Sequence, residues 1–370
     1  MSRALPSKQA GKEGPAPYPQ DEAFPPACEG KAGTVTTEVV RLNLRHTWTT
    51  TMSASDWRDT LFVRILHDGI EGVGEGAPIV TYHESAETAR AAVDSVFPLL
   101  RASHPAQFEK VMSQVGARIQ GEWAAKSAID IALMDWVGKK LGIPLYEYFG
   151  LDADDAPVTS FSIGIAVPDI TRQKVREAEE YAVLKIKVGL DTDEQTIAAV
   201  RSVTQKPLRV DANQGWTNRE MAARKIDWLA KQGVEFVEQP MPAGRLEDMQ
   251  WLRQRSSLPL MADESCRRPS DIPGLVGLFD AVNIKLDKAG GMGNAYLMIQ
   301  MARALGFKTM LGCMVSSSCA ITAAAHLSPL TDYADLDGNL LVANDPCRGV
   351  TVEDGRLRLP RLPGLGLLPA

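Results

Sequence analysis

The chain is poor in the residues that soft-metal, disulfide-rich and nucleic-acid-binding proteins depend on. Only five cysteines and five histidines occur in 370 residues, and no two cysteines stand at the C-x-x-C spacing of a zinc or dithiol site. An odd cysteine count also leaves no complete disulfide framework, so a reduced, cytoplasmic protein is the simplest account. No basic block is present and the net charge is −6, which argues against nucleic acid and anionic membrane as partners. No apolar run is long enough to span a bilayer. Residues 1–33 lack the continuous apolar segment of a signal peptide. They are rich in Pro, Ala, Gly and charge and read as a disordered N-terminal extension, with Cys28 exposed and chemically idle.

What the chain does have is hydrophobic content of 45%, enough at this length for two cored domains. After the extension, "TTEVVRLNLRHTW" and "DTLFVRILHDGIEGVGEG" alternate apolar with polar residues and predict strands, joined through residues 49–59, with a turn at Asp68-Gly69. From about Ser85 to Gly142 the period becomes helical, and Ile129, Leu133 and Trp136 fall on one stripe that Gly142 and Pro144 end. Strands followed by helices make residues 34–155 an α+β domain. From Val158 the texture changes to short β-rich runs about every 25 residues, each followed by a helical stretch such as Asn218–Gln232 or Gly291–Leu305. Eight such runs, the last in a shortened unit, predict a (β/α) barrel over residues 156–338. Residues 339–370, rich in Pro and Gly, are expected to pack back on the first domain.

Barrel enzymes carry their active sites at the C-terminal ends of the strands, and the ionisable residues here gather at those ends. "VLKIKVG" (183–189) is the sharpest case. Lys185 and Lys187 share one face of an otherwise apolar strand, directed at an interior where an unpaired charge is costly. The third, fourth and fifth runs end in Asp211, Glu238 and Asp263. Three carboxylates converging at one rim repel one another unless a cation sits among them. Oxygen ligands without His or Cys favour magnesium, or else manganese, over zinc. Lys187 on the second run and Lys285 on the sixth lie across a barrel from each other. Desolvation and nearby cations lower a lysine's pKa, so the two can remove a proton from one face of a carbon and return it on the other. Lys185 is cast as their electrostatic partner, and Lys288, past the strand end, as a solvated turn residue.

These motifs together, "KIK" at 185–187, "VDAN" at 210–213, "VEQP" at 237–240, "ADES" at 262–265 and "NIKLDKAGG" at 283–291, resemble the enolase superfamily and its muconate-lactonizing-enzyme subgroup. "SAIDIALMDWVGKKLGIPLYEYFG" (127–150) is similar to that subgroup's capping-domain helix and linker. The resemblance implies a modified TIM (β/α) barrel with an α+β capping domain, and one Mg2+ per subunit on Asp211, Glu238 and Asp263. It also implies an enediolate formed by loss of a proton α to a carboxylate, with Lys187 and Lys285 as acid and base. "ADLDG" (334–338) looks like the signature of the dipeptide epimerases, in which Asp335 and Asp337 would bind the substrate's α-ammonium, remote from the metal. Members of that group acting on Ala-Glu are expected to present an arginine from the loop that is "WTTTMSASDWRD" here (48–59). Ser53 stands at that place, with Arg58 as a second candidate. The seventh rim, "GCMVSSSCAIT" (312–322), offers Met314 and Ser316 and is small and neutral. A neutral or hydrophobic residue at the inverted carbon is therefore favoured, with Ala-Glu left open. The alternatives are o-succinylbenzoate synthesis or muconate cycloisomerisation on the same scaffold, and a non-catalytic metabolite-binding barrel. A homo-oligomer is expected from the resemblance alone.

Overall fold

In the computed structural model, residues 33–51 and 53–370 are described; the expected disordered extension, Gly33 apart, and Cys28 lie outside them. The chain first builds a three-stranded antiparallel sheet from β1 (Thr34–Thr49), β2 (Ala54–His67) and β3 (Ile70–Gly76). Asp68 and Gly69 both take positive φ, 52° and 75°, as a tight hairpin turn between right-twisted strands requires. The β1–β2 connection is shorter than expected, because Trp48 pairs with Ser55 and Thr49 with Ala54. That pairing follows a bulge in β1. Asn43 opposes Trp57 and Trp48 opposes Ser55, so Leu44–Thr47 face a single residue, Asp56.

Four helices follow: α1 (Ala86–Ser95), α2 (Phe97–Ala102), α3 (Phe108–Arg118) and α4 (Trp123–Leu141). Ser85 and Thr88 cap α1 reciprocally, satisfying two backbone donors that would otherwise be orphaned. The expected single apolar stripe on α4 is replaced by burial of every residue from Ala124 to Gly138. One side of α4 lies on β3 and another on the barrel. Gly72, Gly74 and Gly76 make the first contact possible. A Cβ on any of them would come within 2.1 Å of a carbonyl oxygen of α4, those of Ala132, Ala128 and Ala124.

After the short α5 (Leu145–Tyr148), eight parallel strands alternate with helices. They are β4 (Ser160–Ile163), α6 (Pro168–Glu177), β5 (Val183–Lys187), α7 (Asp193–Arg201), β6 (Leu208–Asp211), α8 (Arg219–Ala230), β7 (Val234–Glu238) and α9 (Leu246–Arg253). Then come β8 (Leu260–Ala262), β9 (Ala281–Lys285), α10 (Leu286–Ala289), α11 (Met292–Ala304), β10 (Lys308–Gly312), α12 (Ser318–Ala325) and β11 (Tyr333–Asp335). The strands pair in chain order, and a bridge between Thr159 and Ala334 brings the last beside the first. The expected barrel with an α+β cap is therefore the architecture found, including the short last unit, where a 3-10 turn at Gly338–Leu341 follows β11. Among the described residues no helix is long and apolar enough to cross a membrane.

Buried carboxylates pin the cap to the barrel through backbone amides. Glu75 accepts from the N–H groups of Ser317 and Ala320, both at 3.0 Å, and from the Ser317 hydroxyl at 2.6 Å, at the start of α12. Asp287 accepts from Ala77 N–H at 2.9 Å. Asp130 on α4 receives the Met292 and Gly293 N–H groups that open α11. Asp135 accepts from Val73 N–H at 2.9 Å and Leu365 N–H at 2.8 Å. The last bond fastens the C-terminal segment to α4, beside the Leu145 N–H to Gly364 carbonyl bond of 3.0 Å.

Candidate active site

Strand register sets the rim. Lys187 pairs with Asp211 and Asp211 with Glu238 across β5, β6 and β7, while Lys285 and Asp335 both flank Gly312 of β10. Parallel pairing thus delivers these side chains to one layer at the C-terminal end of the barrel. Three rim residues adopt backbone that few side chains favour: φ is +40° at Asn213, +66° at Gln214 and +36° at Gln239. Such strain persists where surrounding structure enforces it. The Gln239 side-chain oxygen accepts from Asp263 N–H at 3.0 Å and Ser265 N–H at 3.1 Å, which fixes the end of β8.

Lys185 and Lys187 both point into the barrel and are buried. Lys185 answers its own desolvation with three carboxylates: Asp335 at 2.7 Å, Glu238 at 2.8 Å and Asp211 at 3.3 Å. Lys187 lies 2.7 Å from Asp211, and Lys285 lies 2.8 Å from Asp263. The Asp pair on the last strand is therefore not remote from the acidic trio as expected, since Lys185 bridges Asp335 to it. The expected lowering of the lysine pKa is also not found at Lys285. Burial does lower it, but the carboxylate of Asp263 outweighs that and holds the group above its ordinary value. Lys185 is driven up in the same way, burial being opposed by Asp335, Glu238 and Asp211.

Lys288 departs furthest from expectation. It is 2% exposed, and its ammonium donates to Asp263 Oδ1 at 2.5 Å and to the carbonyls of Asp263, Cys266 and Asn283 at 2.6, 2.8 and 3.0 Å. The reason is local: α10 begins directly at the end of β9, so a residue three past Lys285 turns back beneath the rim. That i, i+3 spacing was the available signal.

Ligand oxygens of Asp211, Glu238 and Asp263 lie within 4.8 Å of one another, and all three residues are buried. Glu238 accepts from the Asn283 amide at 2.7 Å through Oε1. Its Oε2 has the Lys185 ammonium nearby but no well-directed hydrogen bond. Charge shows the same shortfall. Six carboxylates (Asp211, Glu238, Asp263, Glu264, Asp335, Asp337) face four ammonium groups (Lys185, Lys187, Lys285, Lys288). That excess of acidic groups is what a cation placed among them would relieve. The surplus registers in the acids themselves. Burial and Asp211 push Glu238 up to about 7, and burial with Asp263 and Asp211 pushes Glu264 up to about 8. The donor set is all oxygen, so the residues present fit magnesium or manganese.

A cavity of about 200 Å3 lies over this layer, lined by Lys187, Lys285, Asp263, Asp335 and Asp337 from the barrel and by Pro78–Tyr82 and Arg58 from the cap. Asp337 accepts from Ser162 N–H at 2.6 Å and has no ammonium group of the protein paired with it among the described residues; burial and Asp335 push it up to about 7. Asp335, by contrast, is drawn down to about 2, its burial overcome by Lys185 and Lys187. Ser53 and Met314 line the cavity. Ser316 does not. It is fully buried with its hydroxyl donating to the Met314 carbonyl at 3.0 Å. Arg58, only a second candidate in the sequence, reaches the cavity half-buried; burial lowers it from its ordinary value, and its guanidinium donates to the Trp57 carbonyl at 3.4 Å.

Residues 32–150 match the family described as mandelate racemase / muconate lactonizing enzyme, N-terminal domain, and residues 170–369 match that described as enolase C-terminal domain-like. The chain is 43% identical to the L-Ala-D/L-Glu epimerase of Bacteroides thetaiotaomicron, over 88% of this chain and 85% of that protein. It is 44% identical to the L-Ala-D/L-amino acid epimerase of Pedosphaera parvula, over 87% and 94%. Its fold is similar to that of the dipeptide epimerase from Cytophaga hutchinsonii complexed with Mg and the dipeptide D-Ala-L-Val. The TM-score is 0.87 at 27% identity, covering 92% of this chain and 96% of that one.

Proposed function

Because the chain belongs to the mandelate racemase / muconate lactonizing enzyme family of the enolase superfamily, we propose that it is a dipeptide epimerase that inverts the α-carbon of the second residue. One observation carries the reading: two buried lysines, on β5 and β9, four strands apart around the barrel, line one cavity over the strands that bear the three carboxylates. Asp211, Glu238 and Asp263 would hold Mg2+, which when bound supplies a Lewis acid for the charge that develops on the substrate carboxylate as the α-proton leaves. Lys187 and Lys285 then stand on the two faces of the α-carbon. One, as the free amine, would accept the proton at Nζ while the other donates its own to the opposite face; for Lys285 to serve as that amine Asp263 must first release it, as it would on holding the metal. Lys185, tied to Asp211, Glu238 and Asp335, adds positive charge beside the carboxylate.

Asp337 supports a substrate with a free amino end, since a substrate ammonium is the partner this buried acid lacks. Neither o-succinylbenzoate synthesis nor muconate cycloisomerisation would use it. Of the two specificities left open by the sequence, Arg58 favours an acidic second residue. A half-buried guanidinium without a carboxylate partner among the described residues suits the side chain of Glu better than an apolar one. The free thiols of Cys266, Cys313, Cys319 and Cys347 fit a cytoplasmic setting.

The test is incubation of L-Ala-L-Glu with enzyme and Mg2+ in deuterated water. The α-hydrogen of the second residue exchanges and the other diastereomer accumulates, and EDTA stops both. Exchange that persists unchanged in Lys187→Ala removes that lysine from the mechanism.

A further inference from the structure

The far end of the cap gathers metal-ligating side chains that the chemistry at the rim does not use. His67 ends β2, Asp68 follows it in the hairpin turn, and His104 caps the 3-10 turn Pro105–Gln107 that comes after α2. Ligand atoms of all three lie within 4.8 Å of one another. The rim is distant. The seven residues of β3, about 20 Å of strand, separate this turn from the Ala77 amide that Asp287 holds. We infer that His67, Asp68 and His104 form a second metal site, for a zinc-class ion that ties the β2–β3 turn to the end of α2.

Three features support it. His67 is 6% exposed, and its Nδ1 is buried without a hydrogen-bond partner among the described residues, a shortfall that folded proteins seldom leave. That nitrogen lies 3.3 Å from Asp68 Oδ1, and His104 Nε2 lies 3.7 Å from Asp68 Oδ2. Ligands bonded to one zinc at ~2.0–2.1 Å stand about 3.3 Å apart in a tetrahedron, so the set has little closing to do. Next, both rings are held before any ion arrives. Trp136 meets His67 and His104 edge-on at centroid distances of 5.9 and 5.3 Å, and its indole N–H donates to the His67 carbonyl at 2.9 Å. Finally, the donors differ in kind from those at the rim. Two imidazole nitrogens beside one carboxylate favour zinc, nickel or copper over magnesium, and Asp68 and His104 reach solvent, which lets water complete the shell.

Two groups oppose the ion. Ala106 N–H donates to His104 Nδ1 at 3.2 Å, whereas a ring that ligates through Nε2 carries its proton on Nδ1. The proton passes through solvent from Nε2 to Nδ1 and this long bond is given up. Lys140 holds its ammonium 3.7 Å from Asp68 Oδ2, and its exposed, flexible stem can swing that charge into water.

The test is calorimetric titration of the EDTA-treated, full-length protein with Zn2+ at saturating Mg2+, with melting temperature read on the same samples. Wild type should bind one more Zn2+ than His104→Ala, which removes a ligand at the surface rather than in the core. Only wild type should gain a few degrees of melting temperature at that equivalent. Lys140→Gln should tighten the same step about two- to fivefold by removing a competing surface charge. Equal Zn2+ stoichiometry in wild type and His104→Ala overturns the inference. So does an affinity that Lys140→Gln leaves unmoved. Either failure leaves the epimerase reading standing, because no rim residue is altered.

Discussion

Two groups of buried carboxylates can be set side by side in this molecule. At the barrel rim, Asp211, Glu238, Asp263 and Asp335 are answered by lysine ammonium groups. Along the seam between cap and barrel, Glu75 and Asp130, Asp135 and Asp287 are answered mainly by backbone N–H groups. Both groups are removed from water, so burial does not distinguish them. The partner does. A backbone amide is fixed by the fold and can only hold. An ammonium on a four-carbon stem can yield its carboxylate to a cation or turn to a substrate. Seam acids are therefore joints, whereas rim acids have partners that can change.

The largest effect expected from this contrast is on chemistry. Lys187→Ala should cut turnover by about 10³-fold or more with little change in melting temperature, measured by dipeptide exchange and calorimetry. Turnover above a tenth of wild type would erase the distinction at its strongest point. At the seam the reverse is expected. Glu75→Ala strands two amides at the start of α12 and should cost about 2–4 kcal/mol of stability by denaturant titration. Its Mg2+ affinity should stay within twofold of wild type; a large loss would make Glu75 part of the site.

Lys288 sharpens the contrast because it belongs to both groups, gripped by three backbone carbonyls yet ion-paired to Asp263. If it fixes Asp263 as a ligand, Lys288→Met should weaken Mg2+ binding about 10–100-fold, read by calorimetry without substrate. Unchanged affinity would assign it to the seam. The last effect concerns pH. Burial pushes Asp130 up to about 7, against about 3.9 in an unfolded chain. Between those values the unfolded chain has released its proton while the folded one keeps it. The contribution of Asp130 is thus complete below pH 4 and lost as pH rises to 7. Asp130→Asn should flatten that part of the melting-temperature profile; an unaltered slope would show that the acid is already ionised.

The same contrast explains what the sequence disclosed. Rim acids end β-rich runs at βα spacing, so Asp211, Glu238 and Asp263 announce themselves through period and position, as do the paired faces of Lys185 and Lys187. The barrel and its cap were legible for the same reason. Seam acids carry no such period. Glu75 sits inside "GVGEG" and Asp130 between Ile129 and Ile131 of a helix, and their partners lie 242 and 162 residues away. Lys288 was misread because its side chain folds back against the direction of the chain. Ser316 was misread because a rim position does not say which way a side chain faces. Arg58 was half legible: its charge was visible, but not the pairing of β1 with β2 that aims it.

The glycines at 72, 74 and 76 bring one more consequence. Because α4 rests directly on their bare α-carbons, sliding β3 by one residue would drive Val73 and Glu75 into the helix. Insertions or deletions within that strand are therefore forbidden, whereas the segment just after Gly76, which overhangs the reaction chamber, is free of this constraint. Attempts to retune which peptides this protein accepts should change residues 78–83, between the Ala77 N–H that Asp287 holds and the Glu84 carboxylate that holds the start of α4, and leave the strand before them untouched.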